Sequence, residues 1–436
     1  MSKGHRLGLV SLHLTDLGHK GSDGQARHVR TIFGGTIMTS VSSPSTGPLA
    51  KNHYEVLDGL RGVAALLVVA FHILEPNDHG IRFNQIINHG YLAVDFFFLL
   101  SGFVVAYAYD DRWPRMSTWS FYKRRLIRLQ PMIVMGSLIG AALFYFQRGS
   151  AFPLVATTPL WKLLAVMLFG CTLLPLPIQF DVRGWSEMHP LDGPAWSLFF
   201  EYIANFLYAV WLRKLSTRWL GVLTGLSGIF LIQMLVTGEG DAIGGWSLNA
   251  AQLHIGFARL LFPFLAGMLL MRSGKRIHIR HSFYLCSLLL VICFSLPRFG
   301  GASHLWINGL YEAGCILVVF PVIVAIGAGS LEATDASNRL CRTLGDISYP
   351  LYLTHYPLVY IYTAWIVQGP HRLGQRAGWG ILLWFTAVAI GYACLKLYDE
   401  PVRAWLSRRF LQSKSAGAAV HIPGTDPAFP VDPARS

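Results

Sequence analysis

The sequence predicts an all-α polytopic membrane protein, and three observations lead to that fold class. Hydrophobic residues make up 53% of the chain and charged residues only 14%, whereas an ordinary soluble domain is about 25% charged. The charges are clustered, and they leave apolar runs near or above the roughly 18 residues that a spanning helix requires. These runs are also too long, and alternate too weakly, for the strands of a β-barrel.

Eleven apolar segments are candidates for crossing the bilayer. In chain order, these segments are 56–75, 91–109, 131–147, 160–178, 195–212, 218–237, 254–271, 282–297, 310–329, 348–367 and 377–397. The segment 160–178 differs from the others because it contains a lysine and two prolines. The charge of the connecting loops decides whether it crosses.

Basic links fix the orientation, because Lys and Arg concentrate in cytoplasmic loops. Three strongly basic stretches should face the cytoplasm, namely 112–128, 213–218 and 272–280. All three do so only if 160–178 does not cross, and we therefore predict that this segment is re-entrant or lies at the membrane interface. The result is about ten transmembrane helices with both termini in the cytoplasm. One loop disagrees, since 368–376 carries two arginines on the predicted outer side.

The two ends of the chain differ from the membrane domain, which we place at 51–411. Residues 1–50 are polar and lack the apolar core of a signal peptide. We predict that they form a disordered extension, with Met38 as an alternative start. Residues 412–436 are predicted to be a disordered cytoplasmic tail, because their composition offers little apolar surface to bury.

Net charge and cysteine content limit the expected partners. The formal net charge of +13 is explained by the excess of Lys and Arg in cytoplasmic loops, so we expect no nucleic-acid partner. The six cysteines show neither C-x-x-C nor zinc-type spacing. We therefore expect neither a disulfide framework nor a metal site.

The first apolar segment carries an unusual stripe of ionisable residues. Arg61 and His72 are separated by almost three helical turns, so their side chains share one face about 16 Å apart along the axis. Asp58 lies on the same stripe, one turn before Arg61. Charged groups are costly in lipid and face the protein interior or a water-filled cavity. The stripe therefore predicts two chemically different ends of one buried site.

Orientation assigns the other ionisable residues to two layers. The first span runs outward, which places Arg61 near the cytoplasmic side and His72 near the outer side. The spans that contain Asp95 and Glu201 run inward, and both residues lie in the first part of their span. We therefore predict that both lie in the outer layer with His72. The inner layer contains Arg61 and the basic cluster with Arg125 and Arg128, which are three apart and share a helix face.

Six stretches then match one known family in its own order. They are LDGLRGVAALLVVAFH (57–72), VDFFFLLSGFVVA (94–106), KRRLIRLQP (123–131), PAWSLFFEY (194–202), LGDISYPLYLTHYPL (344–358) and YDEPVRAWL (398–406). Over about 55–407, the chain resembles the membrane-bound acyltransferase family 3, whose members O-acylate sugars of surface polysaccharides, lipopolysaccharide and oligosaccharides. The Arg-x10-His motif of the family falls on Arg61 and His72, and its Arg-x-x-Arg motif on Arg125 and Arg128.

The resemblance implies a multi-pass enzyme of the bacterial cell membrane with no permanently bound cofactor. Its donor would be cytoplasmic acyl-CoA, most simply acetyl-CoA, and its acceptor a hydroxyl of a glycan or lipid-linked oligosaccharide on the extracytoplasmic side. His72 is then the candidate general base, since an unperturbed histidine titrates near working pH. The family's ten helices with cytoplasmic termini agree with the number obtained from loop charge.

Three further residues have alternative interpretations near the outer end. Asp95 either orients the His72 ring or pairs with another buried cation or a helix N-terminus. Glu201 either binds the acceptor or acts as a second acid–base group, or it holds its own segment in place. Trp196 either stacks on the acceptor sugar or is an ordinary interfacial tryptophan.

The inner end is the candidate donor site. Arginine forks bind phosphate bidentately, so Arg125 and Arg128 are expected to bind the phosphates of acyl-CoA. Arg61 is expected to contact the pantetheine or phosphate portion, with Asp58 holding it in place. His355 is a secondary candidate for the donor channel. Ser101 either supports close helix packing or carries an acyl group transiently.

The runner-up interpretation is a proton-coupled transporter or flippase for a glycan or an acyl carrier. Buried Arg, His, Asp and Glu at several depths also suit such a protein. Transporters of this kind usually contain inverted repeats with interrupted helices in matching positions. The sequence shows no repeated segment, which favours the enzyme.

Overall fold

A computed structural model describes residues 53–78, 85–330 and 335–411, which form fourteen α-helices and no β-strand. In chain order the helices are α1 (Glu55–Leu74), α2 (Ala93–Tyr109), α3 (Thr118–Leu143), α4 (Leu160–Gly170), α5 (Ala195–Val210), α6 (Thr217–Thr237), α7 (Ala250–Ser273), α8 (Ser282–Ser295), α9 (Trp306–Gly314), α10 (Phe320–Ala328), α11 (Asp335–Thr354), α12 (Tyr356–Val367), α13 (Leu373–Cys394) and α14 (Glu400–Phe410). The predictions for 1–50, including Met38, and for 412–436 lie outside the described residues.

Seven helical stretches of the described chain are long and apolar enough to cross a membrane. They are Glu55–Asn77, Gly90–Tyr109, Thr118–Gln147, Thr217–Thr237, Ala250–Ser273, Trp306–Ala328 and Leu373–Phe410. The last two join α9 to α10 and α13 to α14 through a single π-helical turn each. Each of the seven coincides with a predicted span, which identifies an all-α membrane protein.

Two of the ten predicted spans correspond to shorter helices, and a third, 348–367, is divided between two helices. The helix α5 has 16 residues and α8 has 14. The doubtful segment 160–178 contains only the 11-residue helix α4, about 16 Å long at 1.5 Å per residue. Because this is about half the thickness of the hydrocarbon core, α4 is too short to cross as a helix.

The predicted span 348–367 is wrong as a single helix. The structure divides this stretch between α11 and α12, which meet at His355. The cause is Pro357 in the first turn of α12, since proline has no backbone N–H to continue the α11 hydrogen-bond ladder. The break places His355 at a buried helix junction.

Glycines allow the central helices to approach closely. The helix α1 packs most extensively against α11, and α2 against α7. A Cβ atom at Gly102 of α2 or Gly267 of α7 would lie 2.0 Å from a carbonyl oxygen of the facing helix. At Gly62 of α1, the corresponding distance to a carbonyl oxygen of α11 would be 2.4 Å. These contacts hold the helices that carry the ionisable residues.

Candidate active site

The stripe on α1 has the predicted internal contact. Arg61 Nη2 donates to Asp58 Oδ1 at 2.7 Å, and Arg61 Nε donates to Ser348 Oγ of α11 at 3.0 Å. Asp58 therefore holds the Arg61 guanidinium as expected, and α11 supplies a second anchor. His72 lies almost three turns further along the same helix.

An inner cavity contains the predicted arginine group. Its lining includes Arg61, Arg125 and Arg128 together with Ser101 and Glu201. Arg125 Nη2 lies 2.5 Å from Glu201 Oε1, and Ser101 Oγ donates to the same oxygen at 3.0 Å. The predicted outer placement of Glu201 is therefore wrong. It lies six residues after the start of α5, or about 9 Å deeper, and faces the arginines.

Arg128 differs from the other two arginines of this group. Arg61 and Arg125 each have a carboxylate partner, whereas within the described part of the chain Arg128 has no carboxylate in ion-pair contact. Its side chain lines the inner cavity, a second cavity that contains Asp58, and a third that contains Arg112, Arg124 and Arg403. Arg128 thus lies where three cavities meet, with more positive than negative charge around it.

An outer cavity of about 340 Å³ contains the other end of the stripe. Its lining includes His72, Glu75, Trp196 and Tyr352. Tyr352 and Val94 also line the inner cavity. The two cavities are therefore adjacent, and their shared walls connect the arginine group with His72.

His72 has a different carboxylate partner from the one predicted. Its Nδ1 lies 3.1 Å from Glu75 Oε2, one turn further along the chain. Its ring lies 4.8 Å from the Tyr356 ring in an edge-to-face arrangement. The exposed fraction of the His72 side chain is 17%, so the imidazole is accessible from the outer cavity. Glu75 is in position to fix the tautomer that leaves Nε2 free as a base.

Asp95 does not orient His72. Its carboxylate pairs with Arg259 of α7, with 2.6 Å between Arg259 Nη2 and Asp95 Oδ2, and both side chains are buried. Arg259 also donates to the backbone oxygen of Tyr91 at 2.7 Å, and its guanidinium lies 5.2 Å from the Trp196 ring centre. Of the two alternatives that the sequence left open for Asp95, the structure therefore has the second, a pair with another buried cation. Arg259 was detectable as a lone charge within the apolar segment 254–271.

His355, the secondary candidate for the donor channel, lies against His72 at the outer cavity. The two imidazole rings are stacked with centroids 5.5 Å apart. His355 Nδ1 lies 2.9 Å from the backbone oxygen of Tyr352 and must carry the proton, because a carbonyl oxygen only accepts. Within the described chain, the buried Nε2 atom has no partner.

Trp196 and Glu187 complete the outer cavity. Trp196 is buried at the start of α5 and lines the outer cavity. Glu187 comes from the loop between α4 and α5 and was not predicted. Burial raises its pKa to about 7. It lies in an irregular loop, where no periodicity of the sequence marks which carboxyl group faces a cavity. Over the described residues, no cluster of three or more His, Cys, Asp or Glu could hold a metal ion.

Comparisons with known proteins identify the family of this chain. The acyltransferase domain of family 3 matches residues 54–396. Acyltransferase MdmB of Streptomyces mycarofaciens is 26% identical over 76% of this chain and 84% of that protein. Protein 2 in the picA locus of Rhizobium radiobacter is 32% identical, over 41% of this chain and 92% of its own length.

A further relative is O-acetyltransferase OatA of Staphylococcus aureus, which is 24% identical over 72% of this chain. The match covers 52% of that longer protein. No solved structure matches the chain. The family match extends over most of the chain and includes both cavities, so this protein belongs to acyltransferase family 3 and is a membrane-embedded acyltransferase.

Proposed function

We propose that the protein transfers an acyl group from cytoplasmic acyl-CoA to a hydroxyl of a surface or exported glycan on the extracytoplasmic side. Acetyl is the simplest donor group, since the OatA relative is named an O-acetyltransferase, and the bacterial cell membrane is the proposed location. The observation that carries the proposal is the series of adjoining cavities between Arg128 and His72.

The inner group would bind the donor. Coenzyme A carries several phosphates, and arginine binds phosphate with paired, charge-assisted hydrogen bonds. Among the described residues, Arg128 has no carboxylate in ion-pair contact that phosphate would have to displace, and Arg61 is held by Asp58 at 2.7 Å. The approximately 16 Å between Arg61 and His72 along α1 is on the order of the length of a pantetheine arm. The thioester would then lie in the outer cavity.

His72 would act as the general base at the outer end. The His72 Nδ1–H group donates to Glu75, and Nε2 accepts the proton of the acceptor hydroxyl. At the same time, the oxygen of that hydroxyl attacks the carbonyl carbon of the thioester. The tetrahedral intermediate collapses, the C–S bond breaks, and the leaving thiolate takes the proton from His72. The products are an O-acyl ester and free coenzyme A. Direct transfer of this kind requires both substrates to be bound together.

The remaining predicted residues have supporting roles in this proposal. Asp95 holds Arg259, which lies beside Trp196, so this pair would fix one wall of the acceptor cavity. Glu201 holds Arg125 toward the donor phosphates. His355 packs against the His72 ring and would restrict its orientation.

Thioester consumption tests the proposal. The protein is reconstituted in liposomes with acetyl-CoA and with surface glycan from the source cells, from which mild alkali has removed existing esters. We expect release of free coenzyme A and incorporation of acetyl mass only when the glycan is present. His72→Ala should abolish both, whereas His304→Ala, at an exposed loop position, should leave both unchanged. Glycan flux across the membrane without thioester cleavage would favour the transporter instead.

A further inference from the structure

The loop 181–192 contributes a wall of the outer cavity that the motifs do not cover. Glu187 and Trp185 of this loop line the same cavity as His72. Trp185 is partly exposed and Glu187 is buried. The loop therefore brings a carboxyl group and an indole ring to the face where an acceptor would lie.

The turn that carries Trp185 is held rigidly. The Asp181 carboxylate accepts hydrogen bonds from the backbone N–H groups of Arg183, Gly184 and Ser186, at 2.8, 3.0 and 2.8 Å. Gly184 has φ +99° and Ser186 has φ +55°, a conformation that non-glycine residues rarely adopt. Such strain persists where the surroundings determine the backbone, and it is concentrated at functional sites.

Glu187 is held from two sides. The Tyr360 hydroxyl lies 2.8 and 2.7 Å from the two carboxylate oxygens of Glu187, and Arg183 Nε lies 3.7 Å from Oε2. The buried Arg183 guanidinium lies only 3.5 Å from the centre of the Tyr360 ring. Because one hydroxyl has one proton, the carboxylate keeps lone pairs for a further donor.

The loop between α6 and α7 is hydrogen-bonded to the loop 181–192. Met188 N donates to the backbone oxygen of Trp246 at 2.7 Å, and Ser247 Oγ donates to the backbone oxygen of Ser186 at 2.5 Å. Trp246 lines the same cavity as Trp185 and Trp196. Three indole rings and the Glu187 carboxylate thus line the outer cavity together with His72.

This combination fits a sugar ring. Indole rings offer flat apolar surface to the C–H faces of a pyranose, and a carboxylate accepts hydrogen bonds from its hydroxyl groups. We propose that Glu187 and Trp185 form an acceptor subsite, in which Glu187 accepts a hydrogen bond from a sugar hydroxyl next to the one that is acylated and Trp185 packs on the ring. This inference rests on the proposed function, since it takes the acceptor to be a glycan.

Steady-state kinetics with two varied substrates test the subsite. The probes are acetyl-CoA and the alkali-treated surface glycan, and the readout is release of free coenzyme A. Glu187→Gln should raise the KM for the glycan about tenfold or more, the effect of a lost hydrogen bond to a charged group, and leave the KM for acetyl-CoA within about twofold. The control Glu239→Gln, at an exposed position in another loop, should change neither.

Trp185 provides an independent arm of the test. Trp185→Ala should raise the KM for the glycan, and Trp185→Phe should restore most of the affinity because it keeps an aromatic face. A purely structural role for Glu187 predicts a lower unfolding temperature and less active protein with an unchanged glycan KM, and that result would overturn the subsite. Full activity of His72→Ala would instead overturn the proposed function, so the two failures are distinguishable.

Discussion

Arg128 provides the sharpest test of the donor site. In the described chain it has no carboxylate in ion-pair contact, and it lies where three cavities meet. Arg128→Gln removes the positive charge and leaves at most one hydrogen bond to a phosphate. A hydrogen bond to a charged group contributes about 1.5–3 kcal/mol, so the KM for acetyl-CoA should rise about 10- to 150-fold. The glycan KM should be unchanged.

Thermal stability separates this effect from damage to the fold. Arg128→Gln leaves no described carboxylate without its partner, so the unfolding temperature in detergent should be the same or slightly higher. The matched variant Arg125→Gln deprives the largely buried Glu201 of its arginine, which should cost about 1–3 kcal/mol of stability, as for a buried polar group that loses its partner. Free coenzyme A release over a range of acetyl-CoA concentrations gives KM. An unchanged donor KM in stable Arg128→Gln protein would refute the phosphate assignment.

Three further predictions concern the outer end. Asp95→Asn should destabilise the protein by about 3–5 kcal/mol in detergent unfolding, because it leaves the buried Arg259 charge unpaired; Asp95→Asn with Arg259→Met should recover much of this loss. Glu75→Gln should lower the turnover rate about tenfold or more at unchanged expression, since it weakens control of the His72 tautomer. An unchanged turnover would exclude that role. Burial raises the pKa of Glu187 from 4.5 to about 7, so the native protein keeps a proton that the unfolded chain loses between these values. The free energy of unfolding of the wild type, relative to that of Glu187→Gln, should therefore fall by at most about 3 kcal/mol as the pH rises from about 4.5 to 7. The same dependence of this free energy on pH in both proteins would contradict the prediction.

Helical periodicity made the inner half of the site predictable. The stripe of Asp58 and Arg61 follows from the repeat of an α-helix alone, and the contact between them is present at 2.7 Å. The same repeat placed Arg125 and Arg128 on one face, and both line the inner cavity. Motifs within one regular helix therefore determine which side chains can meet.

Partners across helices were not predictable in the same way. The sequence assigned Glu201 and Asp95 to a layer from the direction of each span, yet a few residues of offset along α5 moved Glu201 to the arginines. Asp95 and Arg259 come from α2 and α7, whose spacing depends on glycine contacts that loop charge does not reveal. Depth was therefore known only to within about two turns, which is too coarse to assign a residue to one of two adjacent cavities.

The outer half depends on loops, and this has a consequence for specificity. Glu75 follows the last turn of α1. Glu187 lies in an irregular loop, where Arg183 and Tyr360 contact its carboxylate and Asp181 holds the preceding turn. Regular helices thus carry the proposed donor site and the proposed base, whereas loops form the wall that an acceptor would contact. Because loops tolerate sequence change better than packed helices do, relatives with other acceptors should differ mainly at 181–192 and 241–249. Exchange of these loops between two such enzymes should then change the acceptor and leave the donor KM unchanged.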